Sequence, residues 1–150
     1  MNLKIQDQRS VFSFEDYKKI VLEDYYTIFL SRETSILGRR EVLSGKGKFG
    51  IFGDGKELPQ IAMNHFFKNG DFRSGYYRDQ TFLMAQGYLT PEDHFAALYA
   101  HTDIEYEPMS AGRQMVGHFS NKLIDENGNW LDQTKQRNHI ADVSSIGAQM

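Results

Sequence analysis

Phe72-Arg73-Ser74-Gly75-Tyr76-Tyr77-Arg78-Asp79-Gln80 is the stretch on which the reading of this chain turns. It runs into a helical pattern over 78–86 that stops at Gly87, so two tyrosines, an arginine and an acid crowd one helix start. An Arg just inside a helix start adds a cation to the positive end of the dipole, which costs stability unless an anion sits there. With an anion present, helix amides, the Arg78 guanidinium and a Tyr hydroxyl together form a phosphate cradle. Without one, Arg78 pairs with Asp79 or another nearby acid on the surface. Both readings stand at this level.

Downstream, Thr90-Pro91-Glu92-Asp93 opens another helix: Thr caps, Pro takes the first helical position and acids follow. It is expected to end near His101 and to bury Phe95, Leu98 and Tyr99. Upstream, residues 44–55 read SGKGKFGIFGDG, five Gly in twelve positions, a stretch suited to close turns and to bringing backbone amides near a ligand. It lacks the spacing of a phosphate loop ending in Gly-Lys-Ser/Thr. A helix over 56–68 follows, with Pro59 in its first turn and Gly70 ending it. Leu58, Ile61, Ala62, His65 and Phe66 form its expected apolar face.

The longest periodic segment spans 13–37. Ser13 with Asp16 makes an acidic capping box, and Gly38 marks a plausible stop. Phe14, Tyr17, Val21, Tyr25 and Ile28 fall at helical spacing, widened by Leu22 and Phe29, and are expected to be core. Residues 1–12 read as an arm before one domain over 13–150. From 102 to 139 helical periodicity is missing, and Asn127-Gly128 looks like a hairpin turn between two short strands. Ile140-Ala141-Asp142-Val143 reads as a short buried strand. It leads into Ser144-Ser145-Ile146-Gly147-Ala148-Gln149-Met150, which looks like a strand-to-helix turn and the first turn of a helix. The expectation is a piece of a longer protein.

Composition narrows the function classes. At 150 residues, 40% hydrophobic and with 11 Phe, 8 Tyr and 1 Trp, the chain is long enough for one cored domain and too aromatic for a disordered tail. Seventeen basic against twenty acidic residues, net −3, argues against a nucleic-acid binder relying on bulk charge. No apolar run reaches the ~18 residues of a membrane span, and the amino terminus lacks a signal-peptide pattern. A cytoplasmic setting is expected. With no Cys, thiolate metal sites and Cys nucleophiles drop out.

The remaining ionisable groups are scattered. The five His, at 65, 94, 101, 118 and 139, form no His-x-x-x-His or Glu-x-x-His pair on a helix, so no metal site is expected from them. Ser144-Ser145 has no adjacent base. Glu105-Tyr106-Glu107 puts its two carboxylates on a stretch expected to be solvated. Gly112-Arg113-Gln114-Met115-Val116-Gly117-His118 is a second concentration, offering a cation, an amide and an imidazole able to titrate near neutrality. His118 is a candidate general acid/base or oxyanion donor; the alternative is a structural His satisfied by backbone carbonyls.

Taken in order, FGIFGDGKE, FRSGYYRDQ, GRQMVGH and SSIGAQ resemble the alpha-subunit half of thiamin-diphosphate-dependent 2-oxo acid dehydrogenases, the decarboxylating first components of the pyruvate and branched-chain complexes. The resemblance covers about Phe14 to Met150, and YYRDQ together with GRQM-x-x-H carries most of its specificity. It implies an α-rich amino-terminal part of an α/β thiamin-diphosphate-binding fold, truncated before most of the parallel sheet. By the resemblance, Tyr77 and Arg78 hold the cofactor diphosphate. Ser144, Ile146 and Gly147 supply contacts to the aminopyrimidine, with Ile146 also supporting the bent cofactor. His118 matches a His near the active site, and Phe49, Ile51 and His118 are the implied substrate wall.

Ile51, two places after Phe49, stands where pyruvate-type members tend to carry His, and GRQM looks like the branched-chain type. Val116 replaces that type's Pro, SSIGAQ is similar to the pyruvate type in its second half, and 121–137 has no counterpart. The branched-chain type is favoured. The family's magnesium motif, Gly-Asp-Gly with a later Asn, follows the SSIGAQ region, so the magnesium ligands are expected beyond residue 150. Gly53-Asp54-Gly55 precedes YYRDQ and is a coincidence of spelling. Glu57 is read as support for the loop at a helix start, since the family's activating Glu sits on the beta half. The implied partners are that beta half, separate or fused, a lipoyl-bearing acyltransferase and a 2-oxo acid, in an oligomeric parent. Acetoin- and pyruvate-type dehydrogenases are neighbouring alternatives. A different class, a non-catalytic helical binding or assembly module, would use exposed aromatics of the first helix as its interface.

Overall fold

Ser13 opens the chain's longest element in the way its side chain allows. Its Oγ accepts from the Asp16 N–H at 3.1 Å and donates to the Asp16 carboxylate at 2.6 Å, and helix α1 runs Phe14–Leu43. In this computed structural model residues 13–68, 70–107, 110–113, 125–129 and 139–142 are described. The other elements are α2 (Glu57–Phe66), β1 (Phe72–Gly75), α3 (Gln80–Ala85), α4 (Pro91–Leu98) and β2 (His139–Asp142). The described part is helix-rich, with one pair of short strands. Among the described residues no helix is long and apolar enough to cross a membrane.

Helix α1 does not stop at Gly38. It continues to Leu43 because Gly38 serves packing: a Cβ there would stand 2.4 Å from the Phe52 ring. The residue that looked like a terminator is the notch that admits the Gly-rich segment. The expected core of this helix is also overturned. Phe14, Tyr17, Leu22, Tyr25, Tyr26 and Phe29 are all more than half exposed, and Val21 is exposed too. Helices α2, α3 and α4 pack against α1, and its buried residues, Ser31, Thr34, Ser35 and Gly38, all lie in its carboxy-terminal half. Small side chains at i, i+3, i+4 and i+7 let neighbours approach closely. The seam so formed is polar: Ser31 Oγ meets Thr81 Oγ1 at 2.7 Å, and Gln80 Nε2 donates to Ser35 Oγ at 2.7 Å and to the Ser31 carbonyl at 2.9 Å.

Helix α2 likewise turns an unexpected face inward. Glu57, Gln60 and Ile61 are buried, whereas Leu58 and Phe66 are exposed. The buried polar groups are satisfied by partners on α1 and α3, which offsets their desolvation. The apolar core proper is small: Phe82, Leu83 and Leu89, with Phe67, Met84 and Tyr88 against it. Phe67 meets Phe82 edge-on, ring centroids 5.0 Å apart.

Helix α4 begins as its sequence dictates, with the reciprocal Thr90–Asp93 capping box and Pro91 in the first turn. It ends at Leu98 rather than near His101; Tyr99 is its C-cap and Ala100 takes a left-handed φ of 53°. Ala97 and Leu98 are buried, while Tyr99 is exposed and donates to Glu41 at 2.7 Å.

Strand β1 has no counterpart in the sequence reading, whereas β2 is the expected strand, beginning at His139. The two pair in parallel, Phe72 opposite His139 and Gly75 opposite Asp142. Parallel neighbours need a long crossover, and the helices between them supply part of it. Near Asn127-Gly128 the turn is present: Gly128 has φ 83°, and the Asp125 carboxylate accepts from the Asn127 and Asn129 N–H groups. The strands expected to flank it lie outside the described residues.

Glu107, expected to be solvated, is 2% exposed. Its carboxylate accepts from the Ser110 N–H and hydroxyl and from the Gly112 N–H, tying both residues back to Glu107. Gly112 sits at φ 75° with the Ala100 carbonyl so close that a Cβ would stand 2.5 Å from it.

Candidate functional site

Residues Tyr76 to Asp79 form a turn between β1 and α3, closed by the Asp79 N–H donating to the Tyr76 carbonyl at 3.0 Å. Helix α3 starts at Gln80, so Arg78 stands before the helix and not inside it, contrary to the sequence reading. Its guanidinium lies over the rings of Tyr77 and Tyr76, 5.3 and 5.9 Å from their centroids. Tyr76 donates its hydroxyl hydrogen to the Tyr77 oxygen, which raises the Tyr76 pKa and leaves the Tyr77 hydrogen free for an acceptor. Among the described residues, Arg78 has no carboxylate partner.

Asp79, the adjacent acid that the alternative reading pairs with Arg78, is engaged elsewhere. Its Oδ2 accepts from Arg73 Nη2 and from the Tyr76 N–H at 2.9 Å. Arg73 comes up from β1 with its side chain only 6% exposed, between the Gly75 backbone and the Phe82 ring, 5.2 Å from that centroid. A second brace comes from α2. Gln60 Nε2 donates to the Arg78 carbonyl at 3.1 Å while its Oε1 accepts from the Phe82 N–H at 2.9 Å. One side chain thereby ties the turn and the first turn of α3 to α2.

The Gly-rich segment reaches the same place. Gly53 lies against the Arg78 carbonyl, where a Cβ would stand 2.4 Å away. The segment and the start of α2 are pinned to α1 by two ion pairs. Arg39 Nη2 meets Asp54 at 2.5 Å, and Arg32 makes a two-pronged contact with Glu57 at 2.6 and 2.8 Å. Glu57 also accepts from the Gly55 N–H, at 2.9 Å to one oxygen and 3.1 Å to the other, so it supports the loop as expected. The Arg32 hydrogen bonds outweigh burial and hold Glu57 at a pKa of about 2. Asp54 is held low by its hydrogen bond from Arg39.

Behind the segment, the His94 ring packs 6.0 Å from Phe52 and 5.7 Å from Phe95, and its Nε2 is buried with no hydrogen-bond partner. Burial alone lowers its pKa to about 4.

Of the residues singled out from the sequence, Tyr77 and Arg78 are half-buried, the Arg78 carbonyl lies against Gly53, Ile51 is half-buried within the Gly-rich segment, and Phe49 is 44% exposed. His118, Ser144, Ile146 and Gly147 lie outside the described residues. Gln60, Arg73 and His94 were missed. For Gln60 the signal was Glu57-x-x-Gln60-Ile61, a polar face at helical spacing; for Arg73 it was a cation between strand residues. No group of three or more His, Asp or Glu suited to a metal occurs among the described residues.

The arrangement offers one uncompensated cation and a free hydroxyl on a doubly braced turn. That chemistry suits an anion with oxygens to spare, such as a phosphate or diphosphate. No family model, curated protein or solved structure matches the chain.

Proposed function

We propose that the chain is part of a thiamin-diphosphate-dependent 2-oxo acid dehydrogenase, the decarboxylating component, of branched-chain type, working in the cytoplasm. The observation that carries this reading is the state of Arg78, a half-buried guanidinium on two tyrosine rings with its neighbouring acid drawn off by Arg73. In this reading Tyr77 and Arg78 hold the diphosphate of the cofactor. Ser144, Ile146 and Gly147 contact the aminopyrimidine, and Phe49, Ile51 and His118 line the substrate side.

When bound, the cofactor would supply a nucleophilic carbon and an electron sink for decarboxylation of a 2-oxo acid. This chain's own residues bind and orient it. Arg78 offsets diphosphate charge, the Tyr77 hydroxyl donates to an oxygen, and Gln60 with Gly53 fixes the Arg78 backbone. The activating Glu belongs to the partner beta half, and the acyl group passes to a lipoyl-bearing acyltransferase. On this reading the chain alone has no decarboxylase activity and weak cofactor affinity.

Titration of the chain with inorganic pyrophosphate and with thiamin diphosphate tests the reading. Saturable binding that Arg78→Met abolishes supports it; no binding by the parent chain, or binding indifferent to Arg78→Met, refutes it. The exposed aromatics of α1 favour a second reading, a helical assembly module. In that case Arg78→Met changes only local stability and the chain associates through α1.

A further inference from the structure

Arg78 and Asp79 are adjacent, opposite in charge and placed on one turn, so the default expectation is that they neutralise each other. They do not, because Asp79 Oδ2 is held from the other side by Arg73. We infer that Arg73 is a positioning residue whose task is to sequester Asp79, keeping Arg78 free for an anion. The inference rests on the diphosphate reading above and deepens it by assigning the group that keeps the cation available.

Three features fit sequestration better than simple structural pairing. First, Arg73 is buried and preorganised: a Cβ on Gly75 would stand 2.1 Å from Arg73 Nη1, so glycine is the residue that leaves the guanidinium its channel. On its other flank lies Phe82, itself fully buried. A planar guanidinium slotted between a backbone and a ring loses little further freedom when it meets a carboxylate. Second, the same Asp79 oxygen accepts from the Tyr76 N–H at 2.9 Å, so the carboxylate is turned back toward the strand rather than forward over α3. Third, Asp79 is the N-cap of α3 yet makes no capping bond; the Phe82 N–H is satisfied by Gln60 instead. The acid has given up the role its position favours in order to meet Arg73.

Arg73 thus acts on an anion at Arg78 indirectly. It removes a competing carboxylate and cancels its charge, and its own guanidinium is spent on Asp79. The double variant is what separates this role from that of a residue that only props the turn. Losing Arg73 releases Asp79 to pair with Arg78, so anion affinity falls. Removing Asp79 as well removes the competitor, so affinity returns.

The test uses the full chain and inorganic pyrophosphate, by isothermal titration at low salt, with circular dichroism to verify folding. Arg73→Met retains an unbranched apolar stem against Phe82 and is expected to weaken pyrophosphate binding about tenfold. Asp79→Asn keeps an oxygen for the Tyr76 N–H and is expected to bind as tightly as the parent chain or tighter. The double variant R73M/D79N is expected to recover to within about threefold of D79N. If R73M does not fold, D79N and the further variant Arg73→Lys carry the decision. A lysine still holds the carboxylate and is expected to bind within about threefold of the parent chain.

Binding unchanged in R73M, or a double variant as weak as R73M, overturns the inference, as does a D79N variant weaker than the parent chain. If Arg78→Met leaves pyrophosphate binding intact, the diphosphate reading itself has failed. If Arg78→Met abolishes binding while R73M is neutral, only the sequestration has failed.

Discussion

Replacing His94 by Phe separates one acid-sensitive group from all the others. In the folded chain the His94 ring lies between Phe52 and Phe95 with its Nε2 buried and unpartnered, and its pKa falls from 6.5 to about 4. The unfolded chain takes up a proton at this residue near 6.5, while the folded chain resists until about 4. The unfolded state therefore binds more protons in that window, and stability is complete above 6.5 and lost as pH falls toward 4. Linkage over these two values gives a loss of about 2 kcal/mol between pH 7 and pH 5.

Carboxylates held low, such as Glu41, Asp54 and Glu57, add their losses only below the ordinary carboxylate range, so the window from 6.5 to 5 belongs mainly to the imidazoles. His65 and His101 are exposed and are present in both proteins, so they cancel in the comparison. The assay is urea unfolding of parent and His94→Phe at pH 7 and pH 5. The parent is expected to lose about 2 kcal/mol and the variant less than about 0.5. At pH 7 the variant should also be more stable by about 1 kcal/mol, because an orphaned buried polar atom is gone. Equal losses in both proteins would refute the assignment.

Four further outcomes are expected. Gly53→Ala drives a Cβ toward the Arg78 carbonyl, with 2.4 Å between them, and backbone cannot yield cheaply; pyrophosphate titration should show at least about a tenfold loss. Glu57→Gln breaks the two-pronged Arg32 contact and weakens the Gly55 bond, lowering stability at pH 7 by about 1–2 kcal/mol in urea unfolding. The Glu57 contribution is present above the normal carboxylate pKa and lost as pH falls through about 2, so parent and variant should converge in strong acid. Thr90→Ala removes the capping box of α4 and should cost about 1 kcal/mol, read as a lower thermal midpoint. The exposed side chains Phe14 to Phe29 of α1 present roughly 800 Å² of surface, the scale of one side of a stable interface. On the assembly-module reading, sedimentation shows concentration-dependent association of the chain, and Tyr25→Lys with Phe29→Glu leaves it monomeric with unchanged melting.

Local rules were the legible part of this fold. Ser13-x-x-Asp16, Thr90-Pro91, Gly87 and Asn127-Gly128 each decide a cap or a turn through one or two neighbouring bonds, and each appears where its chemistry puts it. What periodicity could not reveal was the side on which partners arrive. The aromatic stripe of α1 and the serine–glycine stripe Ser31, Ser35, Gly38 are both periodic, and the packing elements chose the smaller one. Gly38 was misread because a glycine that ends a helix and one that admits a ring are identical in sequence.

At the site, the crowding of Tyr77, Arg78 and Asp79 was legible as neighbours in the chain, although Arg78 stands before α3 and not inside it. Arg73 and Gln60 were not, since each acts across 6 and 18 residues of chain on atoms that only the fold brings near.

The seam of Ser31, Ser35, Gln80 and Thr81 has a consequence for tolerance to drift. Greasy surfaces can slide past one another by an ångström at little penalty, whereas hydrogen bonds such as the 2.7 Å contacts here switch off over that distance. Helix α3 is therefore indexed against α1 like a toothed rack against its pinion. Tyr76 to Asp79 hang from the first tooth, so the placement of Arg78 inherits a tolerance of tenths of an ångström from a serine on a helix about fifty residues earlier.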